Sequence, residues 1–303
     1  SSSGLPFRAI SKLYSLNSPQ LSYTFPSTIE CKNEHSYAIN YCYESEKKYA
    51  NSIALIGDSH MAALNHGFKK YFDDGTLKFN ILSIGKDGCS PFLHTESIEN
   101  YTSGCRAVIT KAILDVANRQ DIKWVLLIGR HAFRFSGTGF GEVEKEYSSR
   151  PLKYVYSNNL ITSHSNQEAF ELGLRATVNE LVKAGKKVIF VHQLPELGFD
   201  IHGCFDRFGI DISNKCLLSI DIVNSRLNPY KNSVSRIIDN DQSFFQYDPM
   251  RVVCSNNLCS PFNKKGLLLY RDNDHMSMLG SELITSEILD MILVKTHNET
   301  TKK

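Results

Sequence analysis

No apolar run in this sequence approaches the roughly 20 residues that a membrane-spanning helix requires. The longest, such as WVLLIG and KVIFV, have the length of buried strands. Lysine and arginine gather into no long basic run and the formal net charge is only +2, so neither a nucleic-acid partner nor a charged membrane surface is indicated. There is no G-x-S-x-G elbow, no P-loop, no G-x-G-x-x-G after a strand and no H-E-x-x-H pair, which leaves α/β-hydrolase, nucleotide and zinc-protease chemistry without support. Cysteines do not recur at zinc-site spacings, and no metal site is expected. The start, SSSGLPFR, lacks the apolar core of a secretory signal.

What is present is ordinary globular composition: 303 residues, 42% apolar and 22% charged, enough for one main domain with a sizeable core. Eight cysteines fall into four neighbouring pairs, Cys31 and Cys42, Cys89 and Cys105, Cys204 and Cys216, Cys254 and Cys259. Four short loops fit four local disulfides and an oxidising compartment, the alternative being eight reduced cysteines, several of them buried. On the disulfide reading, something upstream of this chain carries it across a membrane.

Residues 1–50 show neither strand nor helix period and are expected to be an extension wrapping the domain; residues 51–295 form the domain and 296–303 a polar tail. SIALIG reads as a buried parallel strand, followed by a helix with Met61, Leu64, Phe68 and Tyr71 on one face. The handover recurs: strands at 77–85, 122–129, KKVIFV and, more weakly, 241–249, with helices at 105–119, 169–185 (stopped by Gly185) and 276–294. This alternation implies an α/β fold with a parallel sheet of about five strands, covered on both faces. Residues 130–165 and 198–240 read as insertions, placed to wall a ligand site beyond the strand ends.

Two segments carry chemistry. LIGDSHMAAL puts Ser59 at the start of the first helix, where free N–H groups and the helix dipole can stabilise an oxyanion, although Asp and Ser there also serve as plain helix caps. YRDNDHMSMLG places Asp272 three residues before His275, as an acid that orients a general base. By itself that segment also reads as a polar turn.

Together, GDSH after the first strand and D-x-x-H before the last helix resemble blocks I and V of the SGNH (GDSL-like) hydrolase superfamily. With DGCSPF after the second strand, GKKVIFVHQLPELG, and Ser277 after the block V histidine, the likeness is strongest to the SGNH domain fused to acyltransferase-3 membrane proteins, which O-acetylate bacterial surface polysaccharides such as lipopolysaccharide O-antigen. The resemblance implies a three-layer α/β/α, flavodoxin-like fold. It implies a catalytic triad of Ser59, His275 and Asp272, acting through an acyl-enzyme. No bound cofactor is expected; the acetyl donor, derived from acetyl-CoA, would arrive through an N-terminal acyltransferase-3 transmembrane domain on the periplasmic side of the inner membrane, and the acceptor would be a surface polysaccharide.

Ser59 N–H would supply one oxyanion donor and Gly88, with Gly85 as runner-up, a second. Block III departs: the superfamily's G-x-N-D should follow the third strand, where this chain has LIGRHAFRF. A third donor could come from Arg130, His131 or the backbone, or Arg130 could simply form an ion pair. Asp58 is expected to brace the block I turn, His60 to shape the pocket, and His192 and His202 to be structural or solvated. Two rivals stay open: a periplasmic carbohydrate esterase, and a non-catalytic glycan-binding module.

Overall fold

The computed structural model describes residues 23–28, 30–32, 39–98, 104–146, 151–204, 216–237 and 242–300; most of the presumed extension, the end of the tail and the His202 side chain lie outside them. Its strands are β1 (Tyr41–Glu44), β2 (Ser52–Gly57), β3 (Asn80–Gly85), β4 (Thr95–Ile98), β5 (Ile122–Ile128), β6 (Lys153–Tyr156), β7 (Lys187–Val191), β8 (Leu218–Ser219), β9 (Phe244–Tyr247), β10 (Cys254–Ser255) and β11 (Leu258–Cys259). The helices are α1 (Ser59–Asp73), α2 (Cys105–Asn118), α3 (His131–Ser136), α4 (Asn166–Lys183), α5 (Ile220–Ile237), α6 (Met250–Val253) and α7 (Met278–Thr300). No described helix is long and apolar enough to cross a membrane.

The main sheet runs β1-β3-β2-β5-β7-β9, with five strands parallel and β1 antiparallel at the edge. Every residue of SIALIG is buried, because β2 is flanked by β3 and β5 and covered on both faces, as its unbroken apolar run predicts. α1 packs on α7, α4 packs on α2 and α5, and β2 touches both α1 and α2, which gives helix, sheet and helix layers. Chain order reverses beside β2, since β3 lies on one side of it and β5 on the other. The crevice at such a reversal, beyond the strand ends, is where α/β sheets hold ligands.

Three features depart from the sequence reading. The edge strand β1 comes from the stretch assigned to the extension; four residues are too few to show a period, and Cys42, buried and bonded to Cys31, anchors it. The segment 198–240 contains the 18-residue α5, whose buried Val223, Leu227, Tyr230 and Val234 follow helical spacing around an interior Pro229. The segment 130–165 holds α3 and β6, and β6 pairs with β4 as a two-stranded ribbon. The α4 stop falls where expected: Gly185, at φ +75°, donates to the Val182 carbonyl.

All four cysteine pairs are disulfides. Cys89–Cys105 ties the turn after β3 to the first residue of α2, whose N–H donates to the Glu96 carboxylate.

Candidate active site

Gly57 ends β2 where no side chain fits: a Cβ there would lie 1.9 Å from the Ile128 carbonyl oxygen of β5. Asp58 follows as the N-cap of α1. Its Oδ1 accepts the His60 N–H (2.9 Å) and its Oδ2 the Arg130 N–H (3.0 Å), so one carboxylate caps the helix and clasps the neighbouring strand end. Burial works against the Asp58 charge, but His60 and these N–H donors hold its carboxyl well below the usual range. The capped turn leaves Ser59 half-buried at the first position of a 15-residue helix.

His275 reaches Ser59 from the other end of the chain. α7 is locked to α1, because Ser281 Oγ donates to the Leu64 carbonyl and accepts the Gly67 N–H, both at 2.8 Å. Gly67 makes this approach possible: a Cβ there would meet Thr285 Oγ1 at 2.4 Å. The loop before α7 is closed by the Arg271 N–H donating to the His275 carbonyl. Within it, Asp272 Oδ1 accepts the N–H groups of Asp274 (3.0 Å) and His275 (2.7 Å).

The result is a continuous polar chain. Ser59 Oγ lies 2.7 Å from His275 Nε2, and His275 Nδ1 lies 3.0 and 3.1 Å from the two oxygens of Asp272. The three residues singled out from sequence therefore meet with the geometry of a nucleophile, a base and an orienting acid.

A second carboxylate, which the sequence reading passed over, stands at the same nitrogen. Asp274 Oδ1 is 2.9 Å from His275 Nδ1. Asp274 is buried, whereas the Asp272 side chain is 39% exposed. Burial pulls the imidazole of His275 down, and the two carboxylates more than reverse this, raising it to about 9. Burial likewise pushes both carboxyls up, and the imidazole beside them brings both below their ordinary value.

Arg130 belongs to this network. Its Nε lies 3.2 Å from Asp274 Oδ2 and 2.8 Å from Glu196 Oε1, and its Nη2 contacts Glu196 and Glu144. Glu196, fully buried, also accepts from Arg226 Nε at 2.6 Å. The Arg130 backbone N–H and its guanidinium Nε and Nη2 are thus engaged by carboxylates, the arrangement of the ion-pair alternative. His131 is fully buried, with Nε2 3.2 Å from the Val191 carbonyl and its ring 4.3 Å from that of Phe190; burial lowers it to about 3.

Gly88 occupies the turn after β3 at φ +66°, a conformation that favours glycine, within the loop tied by Cys89–Cys105. Gly85 is a glycine for another reason: a Cβ there would lie 2.1 Å from the Gly57 carbonyl oxygen. The His60 ring is buried 4.6 Å from that of His275, with Nδ1 3.3 Å from Asp58 Oδ1. His192 is buried against Phe190 and Tyr230, its Nε2 2.9 Å from Gln246 Oε1.

Donor atoms of His60, Asp274 and His275 lie within 4.8 Å of one another. Of these, Asp274 also contacts Arg130, and His275 also contacts Ser59 and Asp272. The surface hollows at His66, Lys69 and Lys70 and at Tyr247, Arg251 and Glu287 include none of these residues.

No curated protein matches the sequence. Among solved structures, the periplasmic domain of a lipopolysaccharide acetyltransferase from Salmonella ser. Paratyphi A aligns with a TM-score of 0.51 at 17% identity, over 82% of this chain and 85% of that one. TesA aligns with a TM-score of 0.39 at 10% identity, over 81% of this chain and 99% of that one. At 17% identity the Salmonella likeness concerns the fold, the SGNH-type hydrolase and acyltransferase fold. The family model described as "SGNH domain (fused to AT3 domains)" matches residues 30–290, from the edge strand's disulfide through Ser59 and into the last helix. This chain belongs to that family of SGNH domains.

Proposed function

We propose that this domain is an O-acyltransferase that moves an acetyl group to a sugar hydroxyl of a bacterial surface polysaccharide, such as lipopolysaccharide O-antigen. The observation that carries the proposal is the unbroken contact chain from Ser59 Oγ through His275 to Asp272, in a family whose domains occur fused to AT3 domains. Ser59 Oγ attacks the acyl carbonyl and its proton passes to His275 Nε2. The leaving group departs with that proton, leaving an acyl-Ser59 ester. The acceptor hydroxyl then attacks the ester, giving its proton to His275, which returns it to Ser59.

Asp272 holds the imidazole with Nδ1 protonated, so that Nε2 faces the serine. The N–H groups of Ser59 and Gly88 are our assignment for the oxyanion donors. The domain would work on the periplasmic side of the inner membrane, receiving its acetyl group through an acyltransferase-3 membrane domain of the same protein. Four disulfides are consistent with that compartment.

A fluorophosphonate probe is expected to label the wild-type chain and not Ser59→Ala. Equal labelling of both, or of neither, would reject the nucleophile. With an activated acetyl ester as donor and O-antigen oligosaccharide as acceptor, mass spectrometry is expected to find acetylated sugar; release of free acetate alone would make the domain an esterase.

A further inference from the structure

Two arginines, Arg130 and Arg226, face three carboxylates, Glu196, Glu144 and Asp274, across the ends of β5 and β7. Glu196 sits between the arginines, and Glu144 closes on Arg130 from the loop after α3. The network holds one carboxylate more than it has arginines, and Asp274 turns the oxygen that is not on Arg130 toward His275 Nδ1 at 2.9 Å. Asp272 approaches the same nitrogen but is set differently. One of its oxygens is also committed to two backbone N–H groups, the other contacts Arg271 Nε at 3.3 Å, and the side chain is partly in solvent. A buried charge is screened far less than one open to water. Asp272 therefore supplies the aligned hydrogen bond, and Asp274 supplies the less screened charge.

We propose that Arg130 and Asp274 act as one unit behind the imidazole: the Asp274 carboxylate sets how readily His275 takes and gives up its proton, and Arg130, held on its other oxygen, sets how much of that charge His275 feels. This rests on His275 being the catalytic base. It gives the block III departure a purpose, since Arg130 acts on the reaction through Asp274. Arg130 also moderates the effect, because its positive charge on Asp274 Oδ2 weakens the pull of Oδ1 on the imidazolium.

The groups facing His275 are Asp272 and Asp274 from its own loop and Ser59 and His60 from α1, with Arg271 behind Asp272 and Arg130 behind Asp274. Substituting either member of the pair should therefore move the titration of His275 in opposite directions. Asp274→Asn removes the buried charge and lowers the midpoint. Arg130→Lys keeps a cation for Glu196 but loses the Nε contact with Asp274, which raises it.

The test is the titration of His275, followed by NMR on protein carrying 13C-labelled histidine and assigned by the signal's loss in His275→Gln. Run in the Ser59→Ala background, it needs no catalysis, so failure here is separable from failure of Ser59 as nucleophile. Asp274→Asn is expected to lower the midpoint by about one pH unit or more, a tenfold change in the protonation constant. Arg130→Lys is expected to raise it, and that rise should vanish when both substitutions are combined. In otherwise wild-type protein, the pH midpoint of kcat/KM should move with each. Unmoved midpoints in a folded Asp274→Asn protein would overturn the proposal, as would a shift by Arg130→Lys that persists without Asp274. If Arg130→Lys fails to fold, Asp274→Asn alone decides, because it leaves Arg130 its two glutamates.

Discussion

Strands β2 and β5 lie side by side and leave the sheet through the same three residues, Leu-Ile-Gly, the last of them inside β2 and just beyond β5, yet the two exits do opposite things. After Gly57 comes an acid that caps a long helix and leaves Ser59 at its mouth. After Gly129 comes a base that caps nothing, starts a six-residue helix and sends its guanidinium back into a set of carboxylates. The next residue diverges too, since Ser59 is half-buried whereas His131 is swallowed by the aromatic core. One backbone handover thus presents a half-buried serine after one strand and a counterion after the next. The Asp58 carboxylate joins them by accepting from both His60 and Arg130.

The comparison breaks most completely at Ser59. Ser59→Ala should abolish turnover, by roughly 10⁴- to 10⁶-fold in an assay of acyl release, with an unchanged melting temperature. Asp272→Asn is expected to lower kcat by roughly 10²- to 10⁴-fold by undoing the imidazole's tautomer, again with little change in stability. Activity equal to wild type would remove Asp272 from the triad.

The two glycines sharpen the contrast on the side of stability. Gly57→Ala drives a Cβ to 1.9 Å from the Ile128 oxygen, whereas at Gly129 the nearest atom is Pro91 Cδ at 3.3 Å. Chemical denaturation should show Gly57→Ala costing about 3 kcal/mol or more and Gly129→Ala less than about 1 kcal/mol. Equal costs would mean that the two exits are packed alike.

The smallest effect is a slope. His131 titrates near 3 when folded against an ordinary value of roughly 6.5. Over that window the unfolded chain binds the extra proton, so the native state loses stability as pH falls from about 6.5 toward 3. His131→Phe lacks this component. Its melting temperature, relative to wild type, should therefore improve steadily as pH is lowered through the same window, and a constant difference would show that His131 is not held neutral.

These contrasts also explain what the sequence could and could not reveal. The inner parallel strands announce themselves because burial on both faces demands apolar runs such as SIALIG and KVIFV, whereas β9, at the sheet edge and only partly buried, shows more weakly. Cysteines close along the chain pair locally, so their partners are visible too. Ser59, Asp272 and His275 stand out because residue type and position relative to a strand and a helix coincide in two short segments.

The four-residue β1 stays hidden because it is too short to carry a period, and α5 because Pro229 and surrounding polar residues blur four well-spaced apolar positions. The ion-pair network is silent for a different reason. Arg130 and Glu196 are 66 positions apart, and nothing in either local segment refers to the other. Only Asp274 left a trace, as the second acid of the same D-N-D-H segment.

The four disulfides span separations of only 5 to 16 residues, while Ser59 and His275 are 216 apart. No covalent cross-link joins the part of the chain that carries the serine to the part that carries the histidine. That closure rests on the seam between α1 and α7, where Ser281 fits against Gly67. During synthesis the serine is therefore made long before the histidine that contacts it. On the proposed mechanism, a domain whose α7 has not docked lacks the histidine at Ser59, so reactivity toward an acyl donor would report that folding has finished.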